Sequence, residues 1–329
     1  MEEKIEKELK WAVLGTGIIA NEMAQALEKM GKNLYAVANR THGKAVEFAE
    51  KYGVQKVYDK IEDMFTDKET DIIYITTPHN THIKFMIQAL KNGKHVLCEK
   101  SITLNSEELE EAVKIAKEKN LILGEAMTIF NMPLYTELSE IVNSGKLGDV
   151  KMIQVNFGSY KEYDMNNRFF NRNLAGGALL DIGVYAISIT RLFMTSKPDN
   201  VLSQVKYAPT GVDEQVGIIM MNKEQQMSTI ALTLHSKQPK RVVIACEKAY
   251  IEITEYPRAD KAKIVYTETG EVEEIKTGIT SDALQYELQN MEESVKTGIN
   301  KMKLEYTIDV MDIMTKLRKE WGMTYPEEE

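Results

Sequence analysis

A lysine, an aspartate and a tyrosine occur in this sequence in a setting suited to moving a proton to or from an oxygen. The run Cys98-Glu99-Lys100-Ser101 follows a short apolar segment, which puts Lys100 at the carboxyl end of a predicted strand. The run Ala175-Gly176-Gly177-Ala178-Leu179-Leu180-Asp181-Ile182-Gly183-Val184-Tyr185 opens a predicted helix. On it Asp181 and Tyr185 are i and i+4 and share a face. Singly, a lysine after a strand is ordinarily a solvated end, and a helical tyrosine is ordinarily a core aromatic. Converging, the three make an acid–base set. Gly183, just ahead of Tyr185, suggests close approach to something flat.

A candidate for that flat partner is encoded near the N-terminus. The apolar run Trp11–Leu14 leads into Gly15-Thr16-Gly17-Ile18-Ile19-Ala20, a G-x-G-x-x-A. The first glycine permits the tight turn, the second admits a pyrophosphate to the backbone, and the small third residue lets helix and strand pack closely. The unpaired N–H groups and dipole of the following helix then favour the anion. Taken alone the pattern is also that of an ordinary strand-to-helix turn. Here it follows a strand and opens an amphipathic helix, as a dinucleotide site requires. The next strand ends Ala38-Asn39-Arg40-Thr41, without the acid that bonds a ribose 2′-hydroxyl. Arg40 would attract a 2′-phosphate and its guanidinium can stack on adenine, so NADP is favoured over NAD. The alternative is an arginine solvated at a helix start.

The elements that would position these groups are legible along the chain. In 11–125, apolar runs at Trp11–Leu14, Leu34–Ala38, Ile72–Thr76, His95–Leu97 and Leu121–Leu123 alternate with helical spacing at Ile18–Met30, Thr41–Tyr52, Thr81–Lys91 and Ser106–Lys119. That alternation predicts βαβ units and a doubly wound parallel sheet. Gly31, Gly53 and Gly93 stand where helices should stop, and Asn105 with Glu108 forms a predicted capping box. Thr76-Thr77-Pro78-His79-Asn80-Thr81-His82 and Glu99-Lys100 both fall at carboxyl ends of parallel strands, where ligands bind in such sheets. His79 and His82 are candidate substrate contacts or proton relays, with helix stabilisation the alternative for His82. From about residue 150 strands follow one another through turns: Lys151–Phe157, Val201–Tyr207, Val216–Met221, Met227–His235, Arg241–Cys246, Ala249–Thr254 and Ala262–Thr267. They predict an α+β domain with an open, mainly antiparallel sheet. Helices are predicted at Leu179–Met194, Asp282–Thr297 and Tyr306–Trp321. Two domains, 1–126 and 127–329, result, and the last helix is free to pack back on the first.

Composition bounds the function. The 329 residues carry 41 Lys+Arg against 50 Asp+Glu, a net charge of −9, with no basic run. Nucleic acid and anionic membrane are poor partners for such a chain. Met1–Lys10 is dense in charge, and no run of 18 apolar residues occurs. Two cysteines, Cys98 and Cys246, cannot build a disulfide framework, and no clustered Cys/His set marks a metal site. A cytoplasmic setting is expected.

In the order G-x-G-x-x-A, Thr77-Pro78, Glu99-Lys100 and Gly-Gly-Ala-Leu-x-Asp-x-Gly-x-Tyr, these motifs resemble the Gfo/Idh/MocA oxidoreductases over nearly the whole chain. Tyr185, with Asn39-Arg40 upstream, is most similar to the dihydrodiol and NADP-dependent xylose dehydrogenase branch. The resemblance implies hydride transfer between a nicotinamide and a carbinol or carbonyl of a sugar, polyol or related cyclic alcohol. It implies Lys100 as the catalytic lysine, Tyr185 as proton donor and acceptor, and Asp181 as the group orienting the alcohol or the lysine. A neighbouring Lys⁺ would favour the phenolate and lower the Tyr185 pKa from about 10. Cofactor contacts are expected from Gly15, Thr16, Gly17, Ile18 and Ile19, from Asn39, Arg40 and Thr41, from Thr77, Pro78, Asn80 and His82, and from Glu99, Lys100 and Arg168, the arginine reaching either cofactor or substrate. Self-association through the open sheet, as a dimer or dimer of dimers, is also implied. Three positions depart from the family pattern. Ser101 replaces a proline that often follows a cis bond, which would leave a trans bond and a differently aimed Lys100. Ala175 replaces a glycine, and its methyl would narrow the approach to substrate. Thr128 stands where the branch often has an aromatic. Competing readings are an NAD-linked inositol or sugar dehydrogenase and a non-catalytic NADP(H)-binding regulator.

Overall fold

The computed structural model describes residues 8–329, so most of the charged stretch Met1–Lys10 lies outside the described residues. The five apolar runs of the first part form β1 (Trp11–Leu14), β2 (Ala36–Ala38), β4 (Ile72–Ile75), β5 (His95–Glu99) and β6 (Leu123–Ala126), and a two-residue strand, β3 (Lys56–Val57), joins them. They pair in parallel in the order β3-β2-β1-β4-β5-β6. β1 and β4 are buried along their whole length, as continuous apolar strands covered on both faces should be. The connecting helices are α1 (Ile18–Lys29), α2 (His42–Tyr52), α3 (Ile61–Thr66), α4 (His82–Lys91) and α5 (Ser106–Glu118). Gly31, Gly53 and Gly93 end α1, α2 and α4 in the left-handed conformation. Asn105 caps α5 by accepting from Glu108 N at 2.9 Å, but the Glu108 carboxylate reaches one residue further back, to Leu104 N. The strand order reverses between β1 and β4, and that crevice faces the G-x-G loop.

β3 and α3 were not legible in the sequence. A two-residue edge strand has too few residues to show a period, and a six-residue helix spans under two turns. The short α6 (Thr128–Asn131) and α7 (Pro133–Asn143) escaped for the same reason or because Pro133, a helix-start residue, breaks the pattern.

The second sheet has eight strands: β7 (Val150–Gly158), β8 (Asn200–Tyr207), β9 (Asp213–Met221), β10 (Met227–Thr233), β11 (Gln238–Cys246), β12 (Ala249–Thr254), β13 (Lys261–Tyr266) and β14 (Val272–Lys276). Their order is β14-β13-β12-β11-β7-β10-β9-β8. All neighbours are antiparallel except β7 and β10, where Val155 lies opposite Ile230 in parallel register. β14, a charged edge strand, is an addition to the predicted set. Period-two alternation shows which face is covered. On β9, Val216, Ile218 and Met220 are buried while Ile219 between them is 47% exposed. The covered face packs on α8 (Val184–Phe193), part of a helical stretch, Arg172–Phe193, that is apolar enough by length and composition to cross a membrane. Its most apolar window is 83% buried inside the fold, as in a core helix. The last helices, α9 (Ala283–Thr297) and α10 (Leu304–Glu320), return to the first sheet. Leu284, Leu288 and Met291 join the core around Trp11 and Met23. Thr315 on α10 accepts from Ser106 N at the start of α5.

Candidate active site

Lys100 leaves the end of β5 and points across to the loop that opens α8. Its Nζ donates to the main-chain oxygen of Asp181 at 2.7 Å and to Asp181 Oδ1 at 3.2 Å. Both side chains are nearly enclosed, with 14% and 11% exposure. The predicted helix begins here as a π-turn over Leu179–Gly183, which precedes the regular turns of α8. Such turns concentrate at functional sites. Asp181 also meets Arg168 Nη2 at 3.5 Å. Tyr185, one turn on, presents its ring 5.1 Å from Lys100 Nζ. Its hydroxyl makes no hydrogen bond to any described residue and is free to meet a ligand. Lysine, aspartate and tyrosine therefore converge as the sequence indicated.

Their protonation states follow from burial and mutual charge. Burial works to lower the Lys100 pKa, but Asp181, Tyr185 and Glu99 outweigh it, and the ammonium is held above its ordinary value. Burial works against the Asp181 carboxylate, yet Lys100 and Arg168 keep it below the usual range. For Tyr185 burial wins. Its pKa is pushed up to about 12 even with Lys100 opposing. The expected lowering by Lys100 is thus corrected: the lysine's pull is real but smaller than the cost of desolvating a phenolate. His79 lies among these charges, and burial with Lys100 pushes it down to about 3, leaving a neutral imidazole.

The backbone that aims Lys100 also differs from expectation. The Lys100–Ser101 bond is cis without a proline. Ser101 is fully buried in this arrangement, with Oγ donating to Leu180 O at 2.9 Å. His82 is also fully buried, with Nδ1 3.0 Å from Ser101 O and Nε2 2.7 Å from Thr77 O. It ties the two strand-end loops together and has no surface to offer a cofactor. Glu125, an unremarked acid in the apolar β6, accepts from Ile102 N at 3.1 Å and from Thr307 Oγ1 at 3.0 Å. A charge inside a buried strand was the available signal. Glu99 accepts from the Tyr74 hydroxyl.

Other expected contacts divide. Gly183 is close to Leu232 and Leu179, so its missing side chain serves packing on the sheet and the flat-partner reading fails. Ala175 is 2% exposed, and its methyl lies in the core, away from any approaching substrate. Gly177 adopts φ +126, and a Cβ there would strike Asp213 Oδ1. Thr128 is buried with Oγ1 donating to Pro257 O. Asn80 spends its amide on Glu327 and Asn173 O, and the Asn39 amide donates to its neighbour Thr41 O. Thr77 accepts from Thr81 Oγ1, and Pro78 is exposed at the loop tip.

The residues at the crevice fit a dinucleotide. Gly15 adopts φ +111 against Thr76, which makes the tight turn. A Cβ on Gly17 would meet nothing within 4 Å, so packing within the chain does not require this glycine and an open cradle remains. α1 starts with no side-chain cap and no acid in its first turn, leaving its N–H groups to an anion. Ile18 is 81% exposed beside it, and Thr16 and Ile19 complete the loop. Arg40 and Thr41 are exposed at the end of β2, and Arg40 makes no ion pair with a described residue.

A parallel sheet with a glycine loop at its switch point, beside a second sheet covered by a helix whose first turns bring an aspartate and a tyrosine to a strand-end lysine, defines a nucleotide-dependent oxidoreductase. Residues 9–127 match the oxidoreductase family with the NAD-binding Rossmann fold, and residues 135–252 match the GFO/IDH/MocA C-terminal domain. The chain belongs to the Gfo/Idh/MocA oxidoreductase family, and it is an enzyme of that class. It is 32% identical over 260 residues to the trans-1,2-dihydrobenzene-1,2-diol dehydrogenase of Xenopus laevis, covering 78% of each chain. The Bos taurus enzyme of the same name is 25% identical, with 97% of this chain and 99% of that one covered. Among solved structures, the 3-ketoreductase KijD10 of Actinomadura kijaniata, in complex with NADP and TDP-benzene, superposes with a TM-score of 0.85 at 18% identity, covering 95% and 98% of the two chains. A levoglucosan dehydrogenase in complex with NADH and levoglucosan reaches 0.83 at 17% identity, also covering 95% and 98%. Both structures share the fold.

Proposed function

We propose that the protein is an NADP-dependent oxidoreductase interconverting a carbinol and a carbonyl on a sugar, polyol or related cyclic alcohol. The observation that carries this is the buried Lys100–Asp181 pair beside the unbonded Tyr185 hydroxyl. When bound, the nicotinamide supplies or accepts a hydride at C4. The G-x-G loop and the start of α1 would hold the pyrophosphate, and Arg40 would meet the 2′-phosphate. Lys100, protonated and largely screened from water, stabilises negative charge on the reacting oxygen. Tyr185, with its proton held to about pH 12, gives that proton to the oxygen during reduction and must take it back during oxidation. Asp181 keeps the ammonium charged and aimed. Both acids are therefore loaded at neutral pH, which suits carbonyl reduction.

The test is Lys100→Ala. It should lower turnover of a reducible carbonyl by a factor of at least 10² to 10³ while NADPH binding, read by fluorescence titration, stays close to wild type. Unchanged turnover refutes the assignment, and tighter binding of NADH than of NADPH refutes the cofactor choice. Two copies are proposed to pair through the open face of the eight-stranded sheet, where Leu202 and Ile219 are exposed. A monomeric mass by light scattering at micromolar concentration would refute that pairing.

A further inference from the structure

We propose that the substrate carries an anionic group, a carboxylate or a phosphate, held between Lys161 and Arg168 at the mouth of the site; this rests on the hydride-transfer reading above. Lys161 lies on the loop after β7. Its Nζ stands 4.1 Å from the centroid of the Phe169 ring, and the Arg168 guanidinium carbon stands 4.2 Å from the same centroid. Two cations thus share one aromatic ring. Arg168 reaches Asp181 at 3.5 Å, but that carboxylate is already engaged by Lys100 at 3.2 Å. Lys161 has no carboxylate within ion-pair distance among the described residues. Lys240, over the Phe157 ring at 5.4 Å, adds a fourth cation and is paired with Glu255.

Four cations, Lys100, Lys161, Arg168 and Lys240, therefore gather with three carboxylates, Asp181, Glu99 and Glu255. Burial pushes the Lys161 ammonium down from its ordinary value; Asp181 opposes the push, and Arg168, Lys100 and Lys240 add to it. A fold gains nothing from gathering like charges around a half-buried lysine, since repulsion and desolvation both cost stability. A bound anion would relieve both. The planar fork of Arg168 and the point charge of Lys161 suit a carboxylate or phosphate oxygen pair.

The cofactor has its own anion sites on the first sheet, at α1 and Arg40. Lys161 lies on the loop that leaves β7 three residues after Gly158, and Phe157 near the end of that strand packs its ring 6.2 Å from Tyr185. The unpaired charge is therefore assigned to the substrate.

The experiment is calorimetric titration of the NADP⁺-loaded protein with D-glucose, D-glucuronate and D-glucose 6-phosphate, at low and high salt. At least one of the two anions should bind ten times or more tighter than glucose, with the advantage shrinking as salt rises. Which anion wins tells carboxylate from phosphate. Lys161→Met should abolish the advantage. Equal binding of all three, or binding of none, overturns the proposal, as does an anion preference that survives Lys161→Met. A change of more than threefold in NADPH affinity on Lys161→Met would assign the charge to the cofactor and overturn it too. Binding is read without turnover, so these failures leave the hydride-transfer reading standing. That reading fails separately, through Lys100→Ala.

Discussion

Asp181→Asn isolates the charge of the Lys100 partner while leaving its geometry almost untouched. The 2.7 Å bond from Lys100 Nζ goes to the Asp181 main-chain oxygen and survives the substitution. What is lost is a carboxylate 3.2 Å from a nearly enclosed ammonium. At an effective dielectric of 20 the attraction is about 5 kcal/mol, and breaking one side of a buried pair typically costs about 3–5 kcal/mol. Without Asp181, burial is the largest influence left on Lys100 and it acts downward. The lysine then sheds its proton at lower pH. In wild type the raised Lys100 pKa keeps the ammonium charged until pH passes the ordinary lysine value. In the variant, kcat/KM for carbonyl reduction should begin to fall on the alkaline side at a clearly lower pH, by at least one unit. The assay is NADPH consumption from pH 6 to 11.5 at fixed ionic strength. An alkaline limb unmoved in the variant would show that Asp181 does not hold the Lys100 proton.

Tyr185, held to about 12, should make alcohol oxidation rise with pH through at least 10 while reduction stays flat near neutrality; an oxidation midpoint near 7 in initial-rate profiles would place the base elsewhere. Glu125 is pushed up to about 7 by burial, so it favours the folded state below the ordinary glutamate pKa of about 4.5 and loses that contribution as pH rises through 7. Glu125→Gln keeps an acceptor for Ile102 N and should be more stabilising, relative to wild type, at pH 8 than at pH 5 by roughly 2.5 kcal/mol. Urea unfolding at the two pH values checks this, and equal differences at both would refute it.

How much of this was readable in the sequence depended on how local the signal was. The strands and helices of the first sheet were visible because each carries its own period and its own stop residue, as Gly53 does for α2. Lys100, Asp181 and Tyr185 could be singled out because strand ends and helix faces fix where such groups point. What could not be read was set by contacts between distant segments. Gly183 reads as an opening for a ligand until Leu232 is placed against it. His82 reads as a site histidine until both ring nitrogens are found on the carbonyls of Thr77 and Ser101. Tyr185 reads as an activated phenol until its burial is weighed against one lysine. In each case the residue type was right and the environment decided the role.

The same distinction applies to charge. A chain with a net of −9 is a poor ligand for polyanions, because its average field repels them. A single anionic group entering a cleft is governed by the nearest few side chains, since charges beyond about 10 Å are screened at ordinary salt. Around Tyr185 those are Lys100, Lys161 and Arg168, with Asp181 already shared between two of them. The fold supplies this arrangement by bringing β5 of one sheet against the π-turn and the loop after β7 of the other. Lys100 alone would serve any alcohol. Its neighbours Lys161 and Arg168 come from the loop after β7, apart from the nucleotide loop. Reaction type is thus written mainly on the first sheet and at the start of α8, and substrate charge on the loop after β7. Substitution at Lys161 should therefore change which molecules are accepted before it changes the chemistry done on them.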